Sequence, residues 1–283
     1  MMNPNGRMHF RAWLQAVVGA VAQAAVIAIA RTARAAIPGL LGIAFAAFAA
    51  SPSGTERWPN RILYFTHSAG FRHDVIPTSL AVLKQLGEGS RAFRITATED
   101  VSALTAENLR HYAAVMFFTT GELPMSDAQK AALLAFVRSG RGFLGVHSAT
   151  DTFYMWPEYG KLIGGYFNQH PWHQQVTIDV ADPSSPLVGF LPASFTVNDE
   201  IYQIRDFDAQ GSRVLLRLDP NSVDLEAPNV SPQPYGWPLA WTRSFGRGRV
   251  FYTALGHEEA VWHDPRYQQM LTNAILWTMR KGH

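Results

Sequence analysis

Apolar and polar positions alternate in blocks along this chain. Residues 61–67, Arg61-Ile62-Leu63-Tyr64-Phe65-Thr66-His67, form an apolar run with a polar tip, the pattern of a buried strand. After a loop at 68–74, the stretch 75–86 brings Ile76, Leu80, Leu83 and Val82 roughly onto one face. It predicts a helix with Pro77 in its first turn and Gly87 as its stop. Residues 93–98 alternate as a second strand, and 113–118 form a third with no polar side. Ser126 opens a helix that runs to Arg138, with Leu133, Leu134 and Val137 apolar and Gly140 as its cap. A fourth strand, 143–146, ends abruptly in His147, with Asp151 four residues on. Apolar strands separated by helices predict a parallel sheet covered on both faces.

The second half changes period. Segments 173–180, 195–204, 213–218, 238–244 and 248–253 read as strands joined by turns, and 168–173 as a loop. Between them, 219–237 carries Pro220, Pro228, Pro232 and Pro234, which predicts a long loop serving as a lid or site wall. The chain closes with a helix over 265–280, in which Tyr267, Met270, Leu271, Ala274, Ile275 and Thr278 fall on one face. The expected architecture is one α/β domain over 61–281, an open and mostly parallel sheet with helices on both faces.

The first fifty residues are different in kind. Arg7, Arg11, Arg31 and Arg34 flank two apolar runs, 13–30 and 35–50, and no acidic residue is present. Positive flank, short apolar core and small residues at the end read as a secretory signal over 1–50, followed by a linker at 51–60. The run 13–30 is long enough to span a bilayer, so a membrane-anchored form is the competing reading; its alanines, Gln15 and Gln23 weaken that case. A periplasmic or secreted location is expected. Without the leader, 20 of the 24 basic residues face all 22 acidic ones, a formal charge of −2. The slight basicity of the whole chain therefore gives no argument for nucleic-acid binding. There is no cysteine, which excludes disulfides and thiol catalysis alike.

The chemistry-bearing residues gather at strand ends. Six of the ten histidines, at 67, 73, 147, 170, 173 and 257, sit there or in the adjoining loops. The spacing Gly145-x-His147-x-Ala149 has the shape of a nucleophile elbow, with histidine at the apex. Imidazoles beside carboxylates suit proton transfer near neutral pH. His147 and His257, with Glu200 and Asp151, are the candidate catalytic groups; His67, Arg72, His73, His170 and Tyr202 are candidate substrate binders. Plainer readings stand beside these: His147 as a buried histidine on a backbone carbonyl, Arg72 as a surface ion pair, Asp151 as a helix cap, Glu200 and Asp199 as a solvated strand edge. The sequence requires no cofactor. Imidazoles with Asp151 or Glu200 could bind zinc, although His170-x-x-His173 lies beside Pro171 and no HExxH helix exists.

At these residues the chain resembles the ThuA-like (trehalose utilisation) family, whose fold is that of class I glutamine amidotransferases, a flavodoxin-like arrangement. The resemblance spans about 61–280. It rests on Thr66-His67 with Gly70-Phe71-Arg72-His73, on Gly145-Val146-His147-Ser148-Ala149-Thr150-Asp151, and on Gly164-Gly165-Tyr166-Phe167-Asn168-Gln169-His170. Asp199-Glu200-Ile201-Tyr202, Pro238-Leu239-Ala240-Trp241, and the run from Gly246 to His257 complete it. Amidotransferases carry cysteine at the elbow and a later His-x-Glu; here the elbow is His147, and His257-Glu258-Glu259 keeps the second pattern. The resemblance implies sugar catabolism without glutaminase activity, with a keto-glucoside or disaccharide as substrate. In that reading His147 and His257 exchange protons with the sugar, and Glu200 or Asp151 orients an imidazole. A non-catalytic sugar-binding accessory protein and a zinc-dependent hydrolase are the alternatives. The expected partner is a small carbohydrate.

Overall fold

A computed structural model describes residues 60–279, which form one α/β domain around a nine-stranded sheet. In chain order the elements are β1 (Arg61–Phe65), α1 (Ile76–Ser90), β2 (Arg94–Thr98), α2 (Ala106–Leu109), β3 (Ala114–Phe117), α3 (Asp127–Arg138) and β4 (Gly142–Val146). A 3₁₀ turn (His147–Thr150) and α4 (Pro157–Ile163) follow. Then come β5 (Tyr166–Val180), β6 (Ser194–Arg205), β7 (Ser212–Leu218), β8 (Pro238–Phe245), β9 (Gly248–Thr253), α5 (Glu259–His263) and α6 (Pro265–Met279). The expected signal or anchor over 1–50, and the linker up to 59, lie outside the described residues. Among those described, no helix is long and apolar enough to cross a membrane.

The strand order is β2-β1-β3-β4-β9-β8-β7-β5-β6. The pairings from β2 to β9 are parallel, and those from β9 to β6 antiparallel. The expectation of a mostly parallel sheet is thus corrected: the sheet is mixed, half of each kind. The cause is in the connections. Helices carry the chain back between β1 and β4, whereas β5 to β9 follow one another through loops and turns with no α-helix between them, and neighbouring strands there run antiparallel. β3 and β4 are buried at every position and β1 at four of its five, as strands covered on both faces must be, while β5 and β6 keep exposed positions. α6 packs on β3, β4 and β9 through Tyr267, Met270, Leu271, Ala274, Ile275 and Thr278.

Two boundaries differ from the sequence expectation for local reasons. α1 runs through Gly87 and stops at Arg91, which takes the left-handed conformation (φ 53°). Gly87 is small because it abuts β2: a Cβ there would lie 2.7 Å from the Phe93 carbonyl oxygen. Residues 168–173 are not a loop but part of β5, whose register against β6 shifts twice between Phe167 and Trp172. Pro171 sits within those irregularities, where no ladder hydrogen bond is required of it.

The curvature of the antiparallel half places the site. β6 is four strands from β9, about 19 Å away in a flat sheet. Yet Asp199 of β6 accepts a hydrogen bond from Gly256, just past β9, at 2.7 Å. The sheet therefore curls back over the carboxyl ends of its own parallel strands, where ligand crevices of α/β sheets lie.

Candidate active site

β4 delivers His147 in a strained turn. The residue has φ 45°, left-handed and uncommon outside glycine, as an elbow demands. The neighbours make the tight turn fit: a Cβ on Gly145 would press on Ile163, Tyr252 and Ala149 at 3.0–3.1 Å. The turn is tied down by the Tyr252 hydroxyl, which donates to the His147 carbonyl at 2.6 Å. The imidazole is fully buried. Its Nδ1 lies 2.7 Å from the Ala254 carbonyl, which can only accept, so Nδ1 carries the proton and Nε2 faces inward.

Three other elements meet it. Glu200 of β6 sets Oε2 3.4 Å from His147 Nε2 and 3.2 Å from Nδ1 of His257, while its Oε1 is 3.3 Å from Nδ1 of His170 on β5. His257 Nδ1 is also 3.2 Å from His147 Nε2. From the loop after β1, the ring of His73 stands 4.8 Å from that of His147 and 5.2 Å from that of His257, edge to face. His73 and His257 open onto a hollow of about 260 Å³, walled also by Phe71, Val75 and Glu258.

The charges follow from these contacts. Burial pushes the Glu200 carboxyl up, but the adjoining His147 and His257 imidazoles outweigh it and hold it well below the usual carboxylate range. Glu200 in turn raises His257, against the effect of burial. His73 is driven down to about 3 by burial and by the neighbouring imidazoles, so it is neutral at physiological pH. Its Nδ1 is buried and without a hydrogen-bond partner.

Of the other candidates, Asp151 lies beside this group and accepts a 2.5 Å bond from the Tyr154 hydroxyl; burial raises its pKa. Tyr202 is buried with its ring against His147, centroids 4.3 Å apart, and serves as wall. His67 and Arg72 are not brought to the centre. His67 bonds the Glu99 carbonyl through Nδ1 at 2.8 Å, and Arg72 grips the Glu99 carboxylate with two bonds of 2.7 and 2.9 Å on the exposed rim. Arg72 is thus the surface pair of its plainer reading.

Two residues take parts the sequence did not assign. Asp199, fully buried, accepts the backbone N–H of Gly256 at 2.7 Å and of Glu258 at 2.9 Å, and so holds the loop that carries His257. Its one visible signal was an acidic pair within a strand. Glu258 pairs with His173 at 2.6 Å, and the His173 ring stands 5.1 Å from that of His257. Glu259, the last residue of the His-x-Glu pattern, lines the hollow and accepts a hydrogen bond from the Thr78 hydroxyl at 3.2 Å. Ligand atoms of His73, His147, Glu200 and His257 lie within 4.8 Å of one another, as do those of His173, His257 and Glu258.

A family model for trehalose utilisation, ThuA, matches residues 61–278, which includes every residue of this centre. The chain belongs to the ThuA family. A solved ThuA-like protein from Bacteroides uniformis is 26% identical, covering 77% of this chain and 91% of its own, with a TM-score of 0.66. Another, from Parabacteroides merdae, is 20% identical over 78% of this chain and 90% of its own, with a TM-score of 0.61. A cytoplasmic protein of Salmonella typhimurium shares the fold at 11% identity and a TM-score of 0.53, covering 77% of this chain and 98% of its own. No curated relative matches the sequence. For a ThuA-family chain, the elbow histidine and its carboxylate partner are the features to explain.

Proposed function

We propose that this ThuA-family protein is an enzyme of carbohydrate catabolism that moves protons on an oxidised sugar, a keto-glucoside or keto-disaccharide, at the centre built by His147, Glu200 and His257. The family's tie to trehalose utilisation supplies the carbohydrate. The observation that carries the enzymatic half is the triangle of Glu200 Oε2, His147 Nε2 and His257 Nδ1, with sides of 3.2 to 3.4 Å, whose His257 lines an open hollow. A ring carbonyl acidifies the neighbouring C–H, so a base and an acid placed over the sugar are enough to isomerise it or to eliminate its glycosidic oxygen. Asp151, kept toward its protonated form by burial, stands beside the centre as the acid. His73 and His170 contact the sugar's oxygens, with Tyr202 behind them. The strand order 2-1-3-4 continued by β9 supports a flavodoxin-like core related to amidotransferases. Histidine at the elbow leaves glutaminase chemistry without its nucleophile. The arginine-flanked leader supports export, so the sugar would be met outside the cytoplasm.

Pure protein incubated with a 3-keto-disaccharide should give a new product by NMR, and His147→Ala should not. Equal turnover by both would remove the assignment. Calorimetric binding of the sugar with no product after long incubation would mark a sugar-binding protein instead.

A further inference from the structure

We propose that His73, His147, His257 and Glu200 together hold a divalent first-row transition cation of the zinc type at the base of the hollow. The inference rests on the reading of this hollow as the reactive centre and specifies how that centre works. The spacing is the first argument. Ligand atoms about 2.05 Å from a tetrahedral zinc ion stand about 3.3 Å from one another. The triangle of His147 Nε2, His257 Nδ1 and Glu200 Oε2 has sides of 3.2, 3.2 and 3.4 Å, and a ring nitrogen of His73 completes the set within 4.8 Å.

Orientation is the second. His147 donates its Nδ1–H to the Ala254 carbonyl, which turns the Nε2 lone pair into the triangle. Metal-ligating imidazoles are fixed in this way by an outer hydrogen bond. His73 points the same way. The residue is 5% exposed, and its Nδ1 is buried with no partner, a state that costs free energy. One proton on His257 Nδ1, shared between His147 and Glu200, would satisfy the triangle but leave His73 unserved. A cation serves all four. Three imidazoles and one carboxylate suit zinc and its neighbours rather than magnesium or calcium. On the side of the hollow the ion would take the sugar's carbonyl oxygen as a fifth ligand and polarise it as a Lewis acid.

The test uses the full chain, made without a histidine tag, stripped by a chelator and titrated with cobalt(II) and then zinc. One equivalent should bind, with the visible absorption of low-coordinate cobalt and cobalt-shifted signals from three imidazole rings. His73→Ala and Glu200→Gln, each checked for folding by circular dichroism, should lose that spectrum. Absence of stoichiometric binding by the stripped wild type overturns the proposal, as does a cobalt spectrum unchanged in both variants. If a variant fails to fold, the wild-type imidazole signals decide alone. Sugar turnover separates the two readings. Stripped protein that converts a keto-disaccharide at full rate keeps the enzyme and removes the cation. Protein that binds one cation through these residues yet leaves keto-sugars untouched keeps the cation and removes the carbohydrate reaction.

Discussion

Asp199 shows how much of the site depends on a side chain that never faces the hollow. Its two oxygens take the N–H groups of Gly256 and Glu258, and His257 lies between those residues. Gly256 itself adopts φ 120°, where a Cβ would strike the Tyr267 hydroxyl at 2.8 Å, so the turn has little freedom once Asp199 is in place. Asn at 199 would point an N–H donor at a backbone N–H. We predict that Asp199→Asn lowers stability by about 1–3 kcal/mol, read by urea denaturation. It should also lower kcat more than it changes KM, because His257 loses its position while the substrate walls remain. His147 was legible at this scale because an apolar strand ends on it within a glycine-flanked turn. Its plainer reading, a buried imidazole on a backbone carbonyl, is also true: the Ala254 bond is what aims its other nitrogen. Arg72 and His67 stand apart from the His147 group because adjacency to a strand end does not fix direction, and Glu99 lies close enough to bond both.

At the level of elements, helices and parallel strands were readable because a continuous apolar run or a 3.6-residue stripe survives small irregularities. α3 is the clearest case: Ser126 and Gln129 form a capping box at its start, and Gly140 (φ 106°) follows its end. β5 was read short because Pro171 and two register shifts hide its alternation. Its N-terminal half is the part that brings His170 to Glu200. α5 and α6 meet at Asp264, whose carboxylate is bound by Arg266 at 2.5 Å, and Arg266 reaches on to the Thr196 carbonyl of β6. Burial acts to raise the Asp264 pKa, but Arg266 and backbone N–H groups outweigh it, so the net shift is downward. A carboxylate depressed in the folded state stabilises fully above its unfolded pKa, near 4, and loses that contribution as pH falls through the folded value. Asp264→Asn should therefore melt at a lower temperature than wild type at pH 7. The gap should close on acidification toward pH 2; a constant gap would show that the ion pair contributes nothing.

Across the whole molecule, the curl of the sheet turns separate strand ends into one site. β1, β4 and β9 present His73, His147 and His257 at their carboxyl ends, as the parallel half requires. Glu200 arrives from an edge strand that only curvature brings near. Hydrophobic pattern along the chain reports which faces are buried, not how far a sheet bends. For that reason the histidines could be grouped from sequence by their strand-end positions, while the partner of His147 stayed open between Glu200 and Asp151. The bend settles the choice of nearest carboxylate as Glu200, and its contacts with three imidazoles make it the residue on which the account turns. The most direct measurement is the rate of keto-disaccharide conversion by wild type and by Glu200→Gln at equal, verified folding. The account predicts a fall of about a hundredfold or more, the range of a lost acid–base centre. Equal rates would contradict it.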